Sequence, residues 1–473
     1  MKRASLVVMI ILSLFCTATI HGEETGKQPI PNLGSITVLD LETAQRIALS
    51  SNPTMDAAVA RVEQAKARVD QAMSTWWPSL DLTGSGSRTR LSDYNYRTTQ
   101  ALASLYNQNF DRTNEDYAVG LRASWTLFDG FYRTFSQEQA RYGKRSVDES
   151  RLNAQRLLVS SVAEAFFNAQ LAQTRVAIAE ADKEFYTQQL RDAQNRYDVG
   201  AGPWGDVLNI KVQLNSANTS LLLSRREQEA AVYGLAALLG LPDSRLPDSA
   251  QLAELDTDID NDGVNETPDL LIDEACISRP DIRELTMRVK TAEATVGMAE
   301  AQYYPKVQLV GSVDGTRFDD PAFSNEDFSN TIAMNLSWNL FAGGADKARK
   351  IEAEQVIREA NATLANLRNQ VVSEVRQGFT LLEAAREQVQ LQRESVKLVE
   401  ENRDLAKNEY EAGEASLVRL NEAQRDLTTT YNRLAQAVVS FHRANQRLMT
   451  ATGRNILQLE NTSTKQQDMQ ESR

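Results

Sequence analysis

The sequence predicts a mixed α/β membrane protein built from two copies of one helix–strand–strand–helix unit. Three observations predict it. First, landmarks recur. Asn52-Pro53 is matched by Arg279-Pro280, and Trp76-Trp77 before Pro78 by Tyr303-Tyr304 before Pro305, each 227 residues on. Trp125-x-x-Phe128-x-Gly130 is matched by Trp338-x-x-Phe341-x-Gly343, and Tyr197-x-x-Gly200 by Tyr410-x-x-Gly413, each 213 residues on. Landmarks repeated in one order mark a duplication. The spacing changes once, between Pro78 and Trp125, where a loop between strands absorbs a length change most cheaply. Second, runs of about ten residues alternate apolar and polar side chains, the period and length of a bilayer-crossing strand. Third, residues 131–199 and 342–412 contain no proline, and about seventy helical residues span roughly 100 Å.

Taken in order, the chain opens with Lys2 and Arg3 ahead of an apolar run from Ala4 to Phe15, with a cleavage point after Gly22. This predicts a secretory signal peptide over 1–22, too short for a membrane-spanning helix. Cys16 follows Phe15, where a lipoprotein signal wants Gly, Ala or Ser, which argues against a lipid anchor. Cys276 is then the only thiol of the mature chain, and no intramolecular disulfide is expected. A tail over 23–38 leads into the first repeat, 39–240. Its helical segment, Leu41 to Thr75, is broken by Pro78. Strands are expected at about 79–90, with Leu80, Leu82, Gly84 and Gly86 on one face, and at about 117–128. In the latter, Val119, Leu121, Ala123, Trp125 and Leu127 alternate with Gly120, Arg122, Ser124 and Thr126. The long helix carries a seam of Leu158, Val162, Ala165, Ala169, Ala172, Val176 and Ala179, turns at Gly200 and returns over 206–239 as an antiparallel coiled coil.

An acidic linker, 241–269, separates the repeats. The second repeat, 270–455, starts with a helical segment from Leu270 to Tyr303 that ends at Pro305. Strands are expected at about 306–316 (Val307, Leu309, Gly311, Val313) and 331–341 (Ile332, Met334, Leu336, Trp338, Leu340). The second seam is Ile357, Ala360, Leu364, Leu367, Val371, Val375, Phe379 and Leu382, with a turn at Gly413 and a return over 417–452. A polar tail, 456–473, closes the chain.

The charge is −13, from 51 basic and 64 acidic residues; losing Lys2 and Arg3 with the signal makes it −15. Nucleic acid is excluded as a partner, because phosphate contacts need a surplus of Lys and Arg. His21 and His442 are the only histidines, too few for a His-rich metal site and against a Ser-His-Asp triad. With no nucleophile elbow and no phosphate loop, the chain does not read as an enzyme. His442 reads as a solvated or packing residue, and Cys276 as a packing residue. No later apolar stretch approaches about 20 residues, so any membrane contact is through a closed β-barrel.

The doubled pattern, Trp-x-x-Phe-x-Gly after the second strand, and the hairpin tips together resemble the TolC-like outer-membrane efflux proteins. The tips are Arg196-Tyr-Asp-Val-Gly200 followed by Asp206-Val-Leu-Asn209, and Glu409-Tyr-Glu-Ala-Gly413 followed by Leu417 to Gln424. The resemblance covers about 39 to 455. It implies a homotrimer in which four strands per protomer close a 12-stranded β-barrel in the outer membrane, continued by a coiled-coil α-barrel across the periplasm. Four strands cannot close alone, and open edges are not tolerated in lipid, so oligomerisation follows. The implied function is passive conduction, with an inner-membrane pump supplying energy and a periplasmic adaptor, or membrane fusion protein, linking the two. In that fold Trp76, Trp77, Trp125, Phe128, Tyr303, Tyr304, Trp338 and Phe341 sit at one level, the inner face of the outer membrane, where aromatic belts form.

The family closes the far end by inward coiling of the helices and narrows it with acids. By position from the tip glycines Gly200 and Gly413, the resemblance assigns Asp206 and Glu422 to that gate. Arg419 stands where the family often has an acid, and offers a latch partner to Asp206 or Glu422. Tyr197 and Tyr410 add hydroxyls to the latch. In the linker, Asp258, Asp260, Asp262, Gly263 and Asp269 resemble an EF-hand-type loop, oxygen ligands at alternate positions around a glycine turn. Calcium there is expected to rigidify the connection; no cofactor is required otherwise. Asp269 is shorter than the usual terminal Glu, and Pro268 precedes it. Two alternatives stay open: the outer-membrane duct of a type I protein secretion system, on the same scaffold, and a non-conducting exported coiled-coil scaffold.

Overall fold

The computed structural model describes residues 37–105, 111–247, 250–257, 259 and 267–456. The signal peptide, Cys16, both tails beyond these limits, and Asp258, Asp260 and Asp262 lie outside the described residues.

Each repeat begins with two helices broken at X-Pro, which forces the residue before proline out of helical backbone. Helix α1 (Leu41–Ser51) and helix α2 (Pro53–Ser74) meet at Asn52, whose carbonyl side chain accepts from the Thr54 N–H at 2.8 Å and caps α2. The Asn52 amide also donates to the Leu238 carbonyl at 2.7 Å. The second repeat keeps the joint with different chemistry. Arg279 donates to the Ala451 carbonyl at 3.0 Å. Leu238 and Ala451 are 213 residues apart, so the duplication extends to single hydrogen bonds.

Strands β2 (Ser79–Arg90), β3 (Thr113–Phe128), β5 (Lys306–Phe318) and β6 (Phe328–Ser337) form one antiparallel sheet in the order β2-β3-β5-β6. Ser79 pairs with Ser124 and Lys306 with Ser337; the two pairs are related by the repeat spacings, so both hairpins share one register. The β3–β5 ladder joins the repeats, leaving β2 and β6 as open edges. β6 stops at Ser337, short of the expected 341, because its ladder partner Lys306 follows Pro305, which has no N–H to extend pairing. Trp338, Leu340 and Phe341 therefore lie past the strand. Between β2 and β3, where the sequence predicts a loop, the structure has helix α3 (Asp93–Ser104), capped by Ser92.

Helix α4 (Tyr132–Asp198) is 67 residues long and helix α8 (Ala345–Ala412) 68, each about 100 Å. They pair lengthwise with α5 (Trp204–Leu238) and α9 (Leu417–Thr452). Every seam residue named above is buried or half-buried. Gly200 and Gly413 turn the hairpins at φ 74° and 82°, where a side chain is penalised. Helices α6 (Pro268–Ser278) and α7 (Pro280–Glu300) repeat α1 and α2. A two-residue parallel pair, β1 (Val38–Leu39) with β4 (Gln251–Leu252), ties the inter-repeat segment to the start of the first repeat. No helix among the described residues is long and apolar enough to cross a membrane.

Candidate functional site

The sheet has one apolar and one polar face. The registers bring Leu80, Leu82, Val119, Leu121, Trp125, Leu309, Val313, Met334 and Leu336 to one side. The other side carries Ser79, Asp81, Thr83, Arg122, Ser124, Gln308, Ser312, Asp314 and Asn335. The apolar face is uncovered: Ile332 is 85 % exposed, Leu82 77 % and Leu336 69 %. Each such side chain forfeits roughly 1.5–3 kcal/mol if it faces water. On the polar face Asp314 reaches over Gly120, where a Cβ would lie 2.7 Å from its Oδ1.

At the junction of sheet and helices the aromatic residues do gather. The Trp125 indole N–H donates to the Trp76 carbonyl at 3.0 Å, and the Trp338 indole to the Tyr303 carbonyl at 3.1 Å. These bonds are repeat equivalents. Phe128 meets Phe131 edge-on at 5.5 Å, and Phe131 meets Tyr304 at 6.2 Å. Trp77, Trp338 and Phe341 are exposed. Beneath them lies a staple that sequence reasoning missed. Arg133 pairs with Asp129 at 2.9 Å, both side chains nearly buried. It also donates to the carbonyls of Thr75 and Leu127 at 3.3 and 3.2 Å and lies 4.4 Å from the Trp76 ring centroid. Only the i, i+4 spacing of an acid and a base at the start of the helix signalled it.

At the far end the two hairpin tips touch. Tyr410 and Leu417 of the second pack with Tyr186, Val207 and Ile210 of the first. The Arg196 guanidinium lies 5.1 Å from the Tyr410 ring. Burial pushes the Tyr410 hydroxyl up, and the Asp206 carboxylate beside it adds to this, while Arg196 opposes. Asp206 and Tyr410 are thus brought together. The expected partners of Arg419 are corrected: it donates to Glu409 at 3.2 Å, not to Asp206 or Glu422. The hairpin turn folds the first turn of α9 against the last turn of α8, so the nearest carboxylate belongs to its own hairpin. Tyr197 likewise packs on Trp204 at 4.9 Å within its own tip. Glu422 is exposed, with no hydrogen bond or ion pair among the described residues. Further up, Asp182 accepts from Gln424 and Thr428, each at 2.9 Å, linking the hairpins. Arg196 and Asp182 were missed because helix-surface polar residues look alike until two helices are paired.

Of the expected calcium ligands only Asp269 is described; it pairs with Arg376 at 3.1 Å. No cluster of His, Cys, Asp and Glu able to hold a metal occurs among the described residues. His442 stacks on Phe167 at 5.2 Å with Nε2 3.0 Å from the Asp256 carbonyl oxygen, and Cys276 packs beside the second-repeat core.

A four-stranded sheet with one apolar and one polar face, set on hundred-ångström helical hairpins, defines a class: a mixed α/β protein with a coiled-coil extension. The particular family follows from comparison, since the model of the outer membrane efflux protein family matches residues 44–241 and 271–454, and the chain belongs to that family. It is similar to the solvent efflux pump outer membrane protein SrpC of Pseudomonas putida, 26 % identical over 82 % of this chain and 79 % of that protein. It also resembles the alkaline protease secretion protein AprF of Pseudomonas aeruginosa, 24 % identical over 84 % of this chain and 83 % of that one. The fold matches the open-state outer membrane channel MtrE of Neisseria gonorrhoeae with a TM-score of 0.71 at 21 % identity, covering 87 % of this chain and 88 % of the other. The chain is an outer-membrane efflux protein.

Proposed function

We propose that three copies close the four-stranded sheet into a 12-stranded barrel in the outer membrane. The helical hairpins continue that barrel as a periplasmic tube, which passively conducts small molecules delivered by an inner-membrane pump through a periplasmic adaptor. The observation that carries this reading is the sheet itself: four strands, two open edges, an uncovered apolar face and a polar face opposite. Lipid satisfies the apolar face, and a further copy satisfies each edge. The exposed aromatic residues then form the inner-interface belt. The meeting point of Asp206, Tyr410 and Arg196, together with Glu422, is the periplasmic constriction, where carboxylates favour cations. The chain performs no catalysis.

Two measurements test this together: mass on an unheated gel and conductance in planar bilayers. A trimer that conducts supports the channel; a monomer without conductance leaves only the non-conducting scaffold. The likeness to a protease secretion protein supports the second reading, a type I duct. Loss of a secreted protein on deletion of the chain, with unchanged resistance to solvents and drugs, would favour it. Calcium in the acidic linker remains a proposal for Asp258, Asp260 and Asp262, with Asp269 released from Arg376. Calorimetry showing no heat of Ca²⁺ binding at millimolar levels refutes it.

A further inference from the structure

The charges of the sheet are sorted by face. Arg88, Arg90, Glu115 and Arg317 continue the alternation of the apolar side chains and share their face, with Arg88 opposite Glu115 and Tyr117 opposite both Gly86 and Arg317. Asp81, Asp116, Arg122, Lys306 and Asp314 stand on the polar face. A chain of net charge −13 thus sets three bases and one acid of its sheet on the apolar face, all at the strand ends away from the helices. From Trp125 to Tyr117 the apolar face of β3 runs eight residues, about 27 Å of strand. Tilted by about 40°, that spans roughly 20 Å, most of the apolar band of a bilayer-crossing barrel. Aromatic rings close the band at its far edge. Tyr117 lies over Gly86, where a Cβ would be 3.3 Å from its Cδ1, and Phe328 over Gly315, at 2.8 Å. The arginines stand at and beyond this edge.

We propose that Arg88 and Arg90 hold a phosphate of an anionic glycolipid of the outer leaflet at the rim of the sheet, with its acyl chains lying down the apolar face beside Gly84 and Leu82. The proposal rests on the trimeric channel reading, which sets the strand ends away from the helices in the outer leaflet of the outer membrane, a leaflet of phosphorylated glycolipid. Arg88 and Arg90 stand on one side of β2, two residues and about 7 Å apart, a spacing that one phosphate bridges by accepting charge-assisted hydrogen bonds from both guanidinium groups. Arg88 is oriented but not consumed. Its Nε lies 3.4 Å from Glu115 Oε1, and the side chain is 74 % exposed. Glu115 Oε2 accepts from the Tyr117 hydroxyl at 3.0 Å, so the tyrosine at the band edge fixes the carboxylate that orients the arginine. Arg90 is exposed, with no hydrogen bond or ion pair among the described residues. Arg317 differs: it donates to Asp327 at 3.0 Å and to Asp320 at 3.2 Å, which neutralise it and leave the phosphate to the pair on β2. Below that pair the strand is bare. A Cβ at Gly84 meets nothing within 4 Å, so an acyl chain can lie against the backbone beneath the headgroup.

The test titrates the full chain, in neutral detergent, with lipid A carrying two phosphates, and reads the bound lipid by native mass spectrometry. Lipid A is expected to stay bound, and lipid A stripped of both phosphates to be lost. Arg88→Gln with Arg90→Gln is expected to weaken binding about 25-fold, because each basic residue at an anionic lipid surface is worth a factor of about five. Arg122→Gln removes the same charge from the polar face and is expected to bind lipid A as the wild type does. Arg90→Gln alone disturbs no partner within the chain; its expected loss of about fivefold keeps the measurement if the double variant fails to assemble, and the stripped lipid tests the wild type without any variant. Unchanged binding by the arginine variants overturns the site. Phosphatidylglycerol held as tightly as lipid A overturns the glycolipid as occupant, and displacement of lipid A by millimolar inorganic phosphate overturns a lipid site in favour of a free anion site. A conducting trimer that ignores the phosphates overturns this proposal and leaves the channel standing. A wild-type chain that stays monomeric and silent in bilayers overturns the channel reading and the proposal with it.

Discussion

Arg133 shows how much a single side chain does here. It neutralises Asp129, holds the carbonyls at the ends of α2 and β3, and lies against Trp76. Removing it leaves a nearly buried carboxylate without its partner, which costs about 3–5 kcal/mol. Arg133→Ala is therefore expected to lower the unfolding temperature strongly, and Asp129→Ala with Arg133→Ala to cost less than the two single effects combined. Equal additivity in a double-mutant cycle would rule out the staple. At the other end, the residue pairing separates gate from scaffold. Asp206→Ala with Glu422→Ala is expected to bring the cation preference of the pore toward unity, measured as reversal potential in a salt gradient. Unchanged selectivity removes both from the constriction. Arg419→Ala is expected to leave resting conductance as it was, because Arg419 is tied to Glu409 in its own hairpin; an increase would restore it to the latch.

Elements were legible where periodicity is strong and obscure where contacts are distant. The proline breaks gave helix boundaries, and the alternation of β2, β3 and β5 gave strands, because burial of one face imposes both patterns. The end of β6 was not legible, since it depends on the proline opposite. Helix α3 was missed because its polar sequence has only the Ser92 cap to mark it. The knot of α7 with α4, α8 and α9 was equally hidden: Arg279 and Arg156 converge on Asp281 at 2.7 and 3.2 Å, and Arg279 reaches Glu374 at 2.6 Å. Sequence spacing does not reveal a network assembled from four helices. Burial works against the Asp281 charge, but the hydrogen bond and charge of Arg279, with Arg156 beyond, hold its carboxyl below the ordinary 3.8. Below that ordinary value the unfolded chain binds a proton that the folded chain still refuses. The stabilisation is therefore complete above it and is lost as pH falls through the lower folded value. Asp281→Asn is expected to flatten this acid limb of the unfolding midpoint against pH; an unchanged limb would place the acid sensitivity elsewhere.

At the scale of the whole molecule, the same glycine does different work in the two repeats. Gly130, at φ 69°, is pressed against the Ala301 carbonyl and Tyr304, where a Cβ would lie 2.5 and 2.6 Å away. Its equivalent Gly343, at φ 63°, has nothing within 4 Å in the single chain. The left-handed backbone alone costs an alanine about 1–2 kcal/mol. If Ser74 and Trp77 of the next copy stand where the repeat spacings place them, Gly343 meets the crowding in the assembly that Gly130 meets within the chain. Gly343→Ala is then expected to abolish the trimer on an unheated gel while the helix signal in far-UV circular dichroism is kept. Gly413→Ala controls for the backbone term, since it has φ 82° and open space around it at the hairpin turn; it is expected to retain the trimer. A Gly343→Ala chain that assembles as well as Gly413→Ala would mean that no neighbour approaches this turn, and that copies meet through the sheet edges alone.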